Sequence, residues 1–361
     1  MNVGTPAAPT RRAVRRYLAQ FLSDRRVVDI NRILWLPLLH GVILNTRPAR
    51  SARLYRNIWT EAGSPLLVTL EKQASALERH LRDRVAGSIL VEAGMGYGRP
   101  SIADGLKRLR DRGAERILLL PLFPQYSATT TASTLDAAMT ELMKWVRIPS
   151  VQWIDSYCCH EAYLEALSRS IGEHWDEHGR PEKLLFSFHG IPERYSRKGD
   201  PYRSQCENTA AEVVQRLDLD SNQWEMAFQS RSGPEEWLKP YTDEVLEQWA
   251  REGVASVHVI APGFSADCLE TLDEIDREYR ELYEEHGGTS FSYIPALNDR
   301  PAHIEALARV VADGLAGRAF DQRQLATDRH GNAEDRYARA PDQAGSAADQ
   351  HPRAEGGVAA Q

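Results

Sequence analysis

Cysteine is scarce in this chain: four residues in 361, at Cys158, Cys159, Cys206 and Cys268. They form no C-x-x-C pair and no even framework of spacings, which fits a reducing compartment. There is no apolar run long enough to span a bilayer, and no charged n-region followed by a short apolar core. A soluble, cytoplasmic protein is expected, with contact at a membrane surface left open. Basic charge is also lacking. The formal net charge is -7, which argues against general affinity for nucleic acid, and the group Arg11, Arg12, Arg15 and Arg16 reads as the solvated face of a first helix. A G-x-G-x-x-G fingerprint is missing too. The glycines of "GMGYGRPS" (94–101) make only a weak phosphate signal.

What is present is alternation. The chain is 42% hydrophobic, enough for two domains with their own cores. Apolar runs of strand length fall at 88–91, 116–120, 151–154, 183–188, 225–228, 256–260 and 291–294. Helical periodicity occupies 101–111, 128–146, 161–178, 209–217, 240–251 and 269–285. Strands alternating with helices predict βαβ units, and continuous apolar strands predict parallel sheets covered on both faces. The expected fold class is α/β, with two Rossmann-like domains at 1–147 and 148–318 and a cleft between them. The final helix of the second is expected to pack back on the first. The tail from 319 to 361 has almost no large apolar residues and is expected to be disordered.

Four polar loops follow strands. In "LLFSFHGIPERYSRKGDPYRSQC" (184–206) the buried run ends at His189, where open α/β folds place their chemistry. A histidine there is often a hydrogen-bonded loop residue; it can also ligate a metal or take up a proton. In "APGFSADCLETLDEIDREYRE", Glu270 stands three residues after Asp267 and fits a capping arrangement. Glu270, Glu274 and Glu278 also recur every four residues. On an α-helix they form one slowly drifting stripe, either a solvated face answered by Arg277 and Arg280 or a path of oxygen ligands. By spacing alone the solvated face is favoured. "FQSRSGPEEWLKPYTDE" carries Arg231 and Trp237, the latter a packing residue or a platform for a flat ligand. "PLFPQYSATTTAST" carries Tyr126, Ser127 and Ser133, which are polar hooks or helix caps. Together the loops suggest a cleft for a large flat ligand with a metal site at one wall.

The same stretches carry a resemblance. "SFHGIPERYSRKGDPYRSQC" resembles the histidine signature of the ferrochelatases, and the two other loops of the C-terminal half resemble further blocks of that family. "GTPAAPTRRAVRRYLAQFLSDRRVVD" and "PLFPQYSATTTAST" resemble N-terminal ones. The similarity runs in order from the first residues to about Asp313. It implies the chelatase fold and insertion of ferrous iron into a porphyrin. It implies catalytic roles for His189 and Glu270, and metal-handling roles for His189, Glu270, Glu274 and Glu278. It assigns the macrocycle walls to Tyr97, Tyr126, Ser127, Tyr195, Arg231, Trp237 and Phe264.

Three departures from the pattern are visible. The family opens with an apolar strand before its N-x-G-T-P turn, whereas this chain opens "MNVGTP", so that strand is expected to be nearly absent. Gly96 replaces a basic residue near a propionate, and Arg99 is the candidate to compensate. No cysteine follows Cys268, so no iron–sulfur cluster and no other tightly bound cofactor is expected. Relatives that metallate coproporphyrin tend to carry a tyrosine where Val3 stands, which favours protoporphyrin IX as substrate beside ferrous iron. A chelatase for cobalt, nickel or another tetrapyrrole, and a non-catalytic tetrapyrrole carrier, are the alternatives.

Overall fold

The computed structural model describes residues 1–316 apart from 83, 85 and 86; the expected disordered tail lies outside the described residues. Met1–Ala319 is one compact unit. The expected boundary at 147/148 falls in the bend before β4.

In chain order the elements are β1 (Asn2–Gly4), α1 (Arg11–Phe21), α2 (Arg32–Leu38), α3 (Leu44–Ile58), α4 (Pro65–Arg82), β2 (Met95–Tyr97), α5 (Ile102–Asp111), β3 (Arg116–Leu119), α6 (Ser133–Leu142), β4 (Ser150–Trp153) and α7 (Glu161–His178). There follow β5 (Lys183–His189), α8 (Glu193–Arg197), α9 (Tyr202–Arg216), β6 (Trp224–Gln229), α10 (Thr242–Arg251), β7 (Ser256–Ile260), α11 (Arg280–Glu285), β8 (Ser290–Ile294) and α12 (Pro301–Leu315). Among the described residues three π-helical stretches lead directly into α3, α6 and α11: Leu39–Ile43, Ala128–Ala132 and Glu270–Tyr279. All strand pairs are parallel: β1 with β2, β3 with β4, and a four-stranded sheet in the order β6-β5-β7-β8.

The four-stranded sheet shows why the apolar run at 183–188 is continuous. Leu184, Phe186 and Phe188 point into the core shared with α7, α9 and α12. Leu185 points the other way, toward α10 and the 270–279 segment. A strand covered on both faces has no solvent side on which to place polar residues. The four-residue alternation predicted for a plain α-helix at 269–285 needs correction. Its first ten residues are π-helical and only Arg280–Glu285 is α-helical. The strand expected at 88–91 is also corrected: these residues take no ladder partner, and the ladder begins at Met95. β1 is short, as expected, with three residues. α12 packs on α4 and α7 and touches β3 and β4.

Two histidines in this core are held neutral by burial. His303 is fully buried, its Nδ1–H donates to the Asn298 carbonyl at 2.7 Å, and its pKa falls from 6.5 to about 4. His258, edge-on to His174, is lowered to about 4 by burial and by its histidine neighbours. Below pH 6.5 the unfolded chain binds protons that the folded chain refuses, so stability is lost as pH falls from 6.5 toward 4. Denaturant titrations should show roughly 2 kcal/mol lost at pH 5 through His303 alone. A flat profile between pH 7 and 5 would contradict the buried neutral state.

Candidate functional site

The order β6-β5-β7-β8 reverses direction between β5 and β7, and the carboxyl end of such a reversal opens a crevice. His189 is the last residue of β5. Its Nδ1 lies 2.6 Å from the Gly190 carbonyl. A carbonyl only accepts, so Nδ1 carries the proton and Nε2 keeps its lone pair. The ring sits 6.4 Å from that of Phe264, which comes from the loop after β7. Trp237 closes the other flank. Its indole nitrogen donates to the Ser232 carbonyl at 2.9 Å, and its ring lies over Gly190.

The acidic segment forms the adjoining wall. Glu274 accepts from the Ser230 amide at 2.8 Å, the Ser230 hydroxyl, the Tyr279 hydroxyl at 2.8 Å and the Gln229 amide at 3.3 Å. Burial nevertheless raises its pKa, partly offset by these donors and by His189. Ser230 meets this carboxylate with φ 64, the left-handed region that non-glycine residues rarely adopt. Glu270 is half-buried one turn back. Gln229 donates to its carbonyl at 2.9 Å, fixing β6 to the segment. Its carboxylate acts on Tyr17 and Tyr55, whose pKa values are raised first by burial; that charge comes next for Tyr17, and after the neighbouring Tyr17 for Tyr55. Glu278 is exposed and pairs with Arg277 at 3.0 Å. The i→i+5 bonding of a π-helix widens the turn and is frequent at functional sites.

The remaining expected residues divide. Ser127 is buried, caps the Ala128–Ala132 segment through the Thr129 amide at 3.2 Å, and donates to Asp200 at 3.0 Å. Tyr126 beside it is half-buried, with its pKa raised by burial and then by Asp200. Tyr97 is buried, donates to Asp24 at 2.6 Å and meets Phe21 edge-on at 5.2 Å. Tyr195 is buried, and its hydroxyl donates to the Arg26 carbonyl at 2.9 Å, tying α8 to the loop after α1. Arg231 turns outward to Asp243 at 2.7 Å and Glu244 at 2.8 Å, stacked over Tyr241. Arg99 is exposed and faces Asp104 at 3.8 Å. His189, Trp237, Phe264 and Glu274 thus come together around the end of β5, with Glu270 adjoining. Tyr195 and Arg231 are committed to other partners. Tyr17, Tyr55, Ser230 and Tyr279 are site neighbours that sequence reading passed over. The run of Tyr17, Phe21 and Tyr55 at helical spacing from "RRYLAQF" and "ARLYRNI" was the available signal for one of these walls.

The parallel α/β fold, with His189 at its switch point and Glu274 beside it, is that of a chelatase-type protein. The solved structure of SirB from Bacillus subtilis with Fe3+ shares this fold at a TM-score of 0.51 and 14% identity, covering 71% of this chain and 93% of its own. The ferrochelatase family model matches residues 1–315, and the chain belongs to the ferrochelatase family. It is 50% identical over 316 residues to the ferrochelatase of Thioalkalivibrio sulfidiphilus, covering 88% of this chain and 86% of that one. It is likewise 50% identical over 313 residues to ferrochelatase 1 of Shewanella oneidensis, covering 87% and 94%. It is therefore an enzyme, a lyase of haem synthesis whose substrates are ferrous iron and a porphyrin.

Gly190 gives a direct check on the site's packing. A Cβ there would meet the Gln229 carbonyl oxygen at 2.9 Å and Trp237 Cε3 at 3.1 Å. The variant Gly190→Ala should displace the indole, seen as a shifted Trp emission and a melting temperature lowered by several degrees, roughly 1–3 kcal/mol of overpacking. Unchanged emission and stability would show that Trp237 does not press on this loop.

Proposed function

We propose that the porphyrin is protoporphyrin IX and that His189 and Glu270 act at the macrocycle, with Glu274 and Glu278 supplying iron to them. The observation that carries this reading is the free Nε2 of His189, held beside Glu274 at the switch point. Inserting the ion releases two pyrrole protons. The Nε2 lone pair accepts one of them, and a carboxylate takes the other. Ferrous iron is borderline in softness, and imidazole with carboxylates suits it. Phe264, Trp237 and Tyr126 bound the macrocycle. Rigid walls favour the bent macrocycle, whose nitrogens can be reached from one face. Val3 packs in an apolar cluster with Leu66 and Phe264. That wall suits the vinyl groups of protoporphyrin better than the additional carboxylates of coproporphyrin.

We also propose that no iron–sulfur cluster resides in the chain. Cluster ligands are thiolates, whereas burial raises the pKa of Cys206 and Cys268. Cys158 and Cys159 share a single turn, their sulfurs 3.5 Å apart.

Steady-state kinetics of four variants test the roles. His189→Ala and Glu270→Gln should lose turnover beyond a thousandfold while still binding porphyrin by absorbance. Glu274→Gln and Glu278→Gln should raise the apparent KM for ferrous iron and leave kcat within about tenfold, a difference of roughly 1.4 kcal/mol. Near-normal turnover in His189→Ala, or complete loss in a folded Glu278→Gln, would reverse the assignment.

Among the described residues no helix is long and apolar enough to cross a membrane. A peripheral contact is favoured by the exposed ridge of Ile33, Leu34 and Val42, which are 81%, 72% and 53% exposed. Flotation with vesicles containing anionic lipid should recover the protein, and Ile33→Ser with Leu34→Ser should abolish recovery without changing kcat. Equal recovery of both proteins would place any membrane contact elsewhere.

A further inference from the structure

The cysteines are not alike. Cys158 and Cys159 follow one another in the turn between β4 and α7, which closes where the His160 amide donates to the Tyr157 carbonyl at 3.0 Å. They are the two central residues of that turn, and their sulfurs lie 3.5 Å apart. Their surroundings differ. Cys158 is fully buried, whereas Cys159 is only half-buried. The buried thiol keeps its proton, so Cys158 donates and Cys159 accepts. That bond holds the Cys159 thiol below its usual range, against the opposing effect of burial. The same bond raises the Cys158 thiol, and burial raises it further. Glu212 and Arg216, paired with each other at 3.0 Å, act on Cys159 in opposite directions. A nucleophilic, reachable sulfur therefore lies against a protonated one that solvent does not reach.

The peptide joining the pair is tied to the crevice. The Thr209 hydroxyl is shared between the Cys158 carbonyl at 3.1 Å and the Gln205 carbonyl at 2.9 Å, and it accepts from the Gln125 side chain at 2.9 Å. The Gln205 side-chain oxygen accepts from the Tyr126 amide at 2.7 Å, and the Ser156 hydroxyl lies 2.9 Å from that same oxygen. One buried cluster of hydrogen bonds thus connects the cysteine turn to residues 125 and 126.

We infer that Cys158 and Cys159 are a reversible oxidation site, a vicinal dithiol that a peroxide closes to a disulfide, and that closure loosens the loop carrying Tyr126. The disulfide itself stands on the geometry of the turn; its effect on porphyrin binding rests on Tyr126 bounding the macrocycle, as proposed above. The Cys159 thiolate attacks a peroxide oxygen, the O–O bond breaks, and the departing hydroxide takes up a proton to leave as water. The Cys158 sulfur then attacks the sulfenic sulfur of Cys159, the S–O bond breaks, and the second hydroxide leaves as water with the Cys158 proton. Two thiols and one peroxide become one disulfide and two waters, the sulfurs losing the two electrons that the peroxide gains. Closure draws the sulfurs together by about 1.5 Å and encloses the Cys158–Cys159 peptide in a small ring, which turns its carbonyl away from Thr209. Exchange with a dithiol reductant reopens the pair. Ferrous iron reduces oxygen toward peroxide, so an enzyme that handles this ion meets the oxidant.

Both cysteines fall in a single tryptic peptide, residues 148–169. The test treats the reduced full chain with an equivalent of hydrogen peroxide, removes the excess, alkylates the remaining thiols in denaturant and weighs the digest. The peptide should be unalkylated and lighter by two hydrogens, Cys206 and Cys268 should remain alkylated, and dithiothreitol should restore all the thiols. The apparent KM for porphyrin should rise roughly fivefold with kcat little changed, and fall back on reduction. Cys159→Ser should form no disulfide and keep the KM of the reduced enzyme after the same treatment. Over-oxidation of Cys159 while Cys158 remains alkylated, or a disulfide that includes Cys206, would overturn the site. An equal rise of KM in Cys159→Ser would overturn it by placing the effect elsewhere. A disulfide at 158–159 with unchanged KM would overturn the coupling, and Tyr126→Ala in the reduced enzyme then tells a loop that has not moved, where this variant raises KM, from a Tyr126 that does not touch the macrocycle, where it does not.

Discussion

The site depends on β5 being bonded along both edges, to β6 and to β7. That double ladder fixes the backbone up to His189 and Gly190, and the reversal of strand order beside it clears space for a ligand. Everything that shapes the imidazole's surroundings is delivered by the two neighbours. β6 ends in Gln229, which with Ser230 just beyond it grips the acidic wall. β7 leads into the loop that carries Phe264. The loop after β5 reaches across to the first half, where Asp200 accepts from the Ala128 amide at 2.7 Å. A crevice between sheets is thus braced by hydrogen bonds at its rim, not by the sheets alone.

Much of the second half was legible in the sequence. β5 and β7 are mostly apolar runs with both faces covered, and such runs announce themselves by composition; β8, SFSYI, shows itself by its aromatic and branched residues. His189 was legible because a polar group breaks one of those runs at its end. The first 82 residues were less so. α1 and α3 are short and arginine-rich, with only a narrow buried stripe, so composition suggested surface more than structure. Residues 88–91 have the side chains of a strand, but pairing requires a neighbour, and side-chain pattern carries no information about that neighbour. The π-helical bonding of 270–279 leaves no mark in residue type, because the widened turn is set by backbone partners. The spacing argument for Glu270, Glu274 and Glu278 favoured a solvated face answered by Arg277 and Arg280; Glu278 does pair with Arg277, whereas Glu274 is taken up by Ser230 and Tyr279. The left-handed Ser230 was invisible for a different cause: serine gives no hint of the conformation that glycine or asparagine would have signalled.

Arg231 and Tyr195 show the limit of matching by position. Both stand in informative loops, yet Arg231 is balanced by Asp243 and Glu244, and Tyr195 is held by the Arg26 carbonyl. A loop can carry functional groups while spending its conspicuous residues on its own anchorage. The residues that hold the acidic wall are less conspicuous ones, a glutamine, a serine and a tyrosine.

The pairing of Ser230 with Glu274 keeps two costly features in one place. A desolvated acid and a backbone residue in a disfavoured conformation are kept together only because each satisfies the other. Drift toward greater heat resistance would be eased by neutralising the acid and letting the loop relax. Heat resistance gained at this one spot would therefore remodel a wall of the crevice, whereas heat resistance gained elsewhere in the molecule would leave that wall as it is.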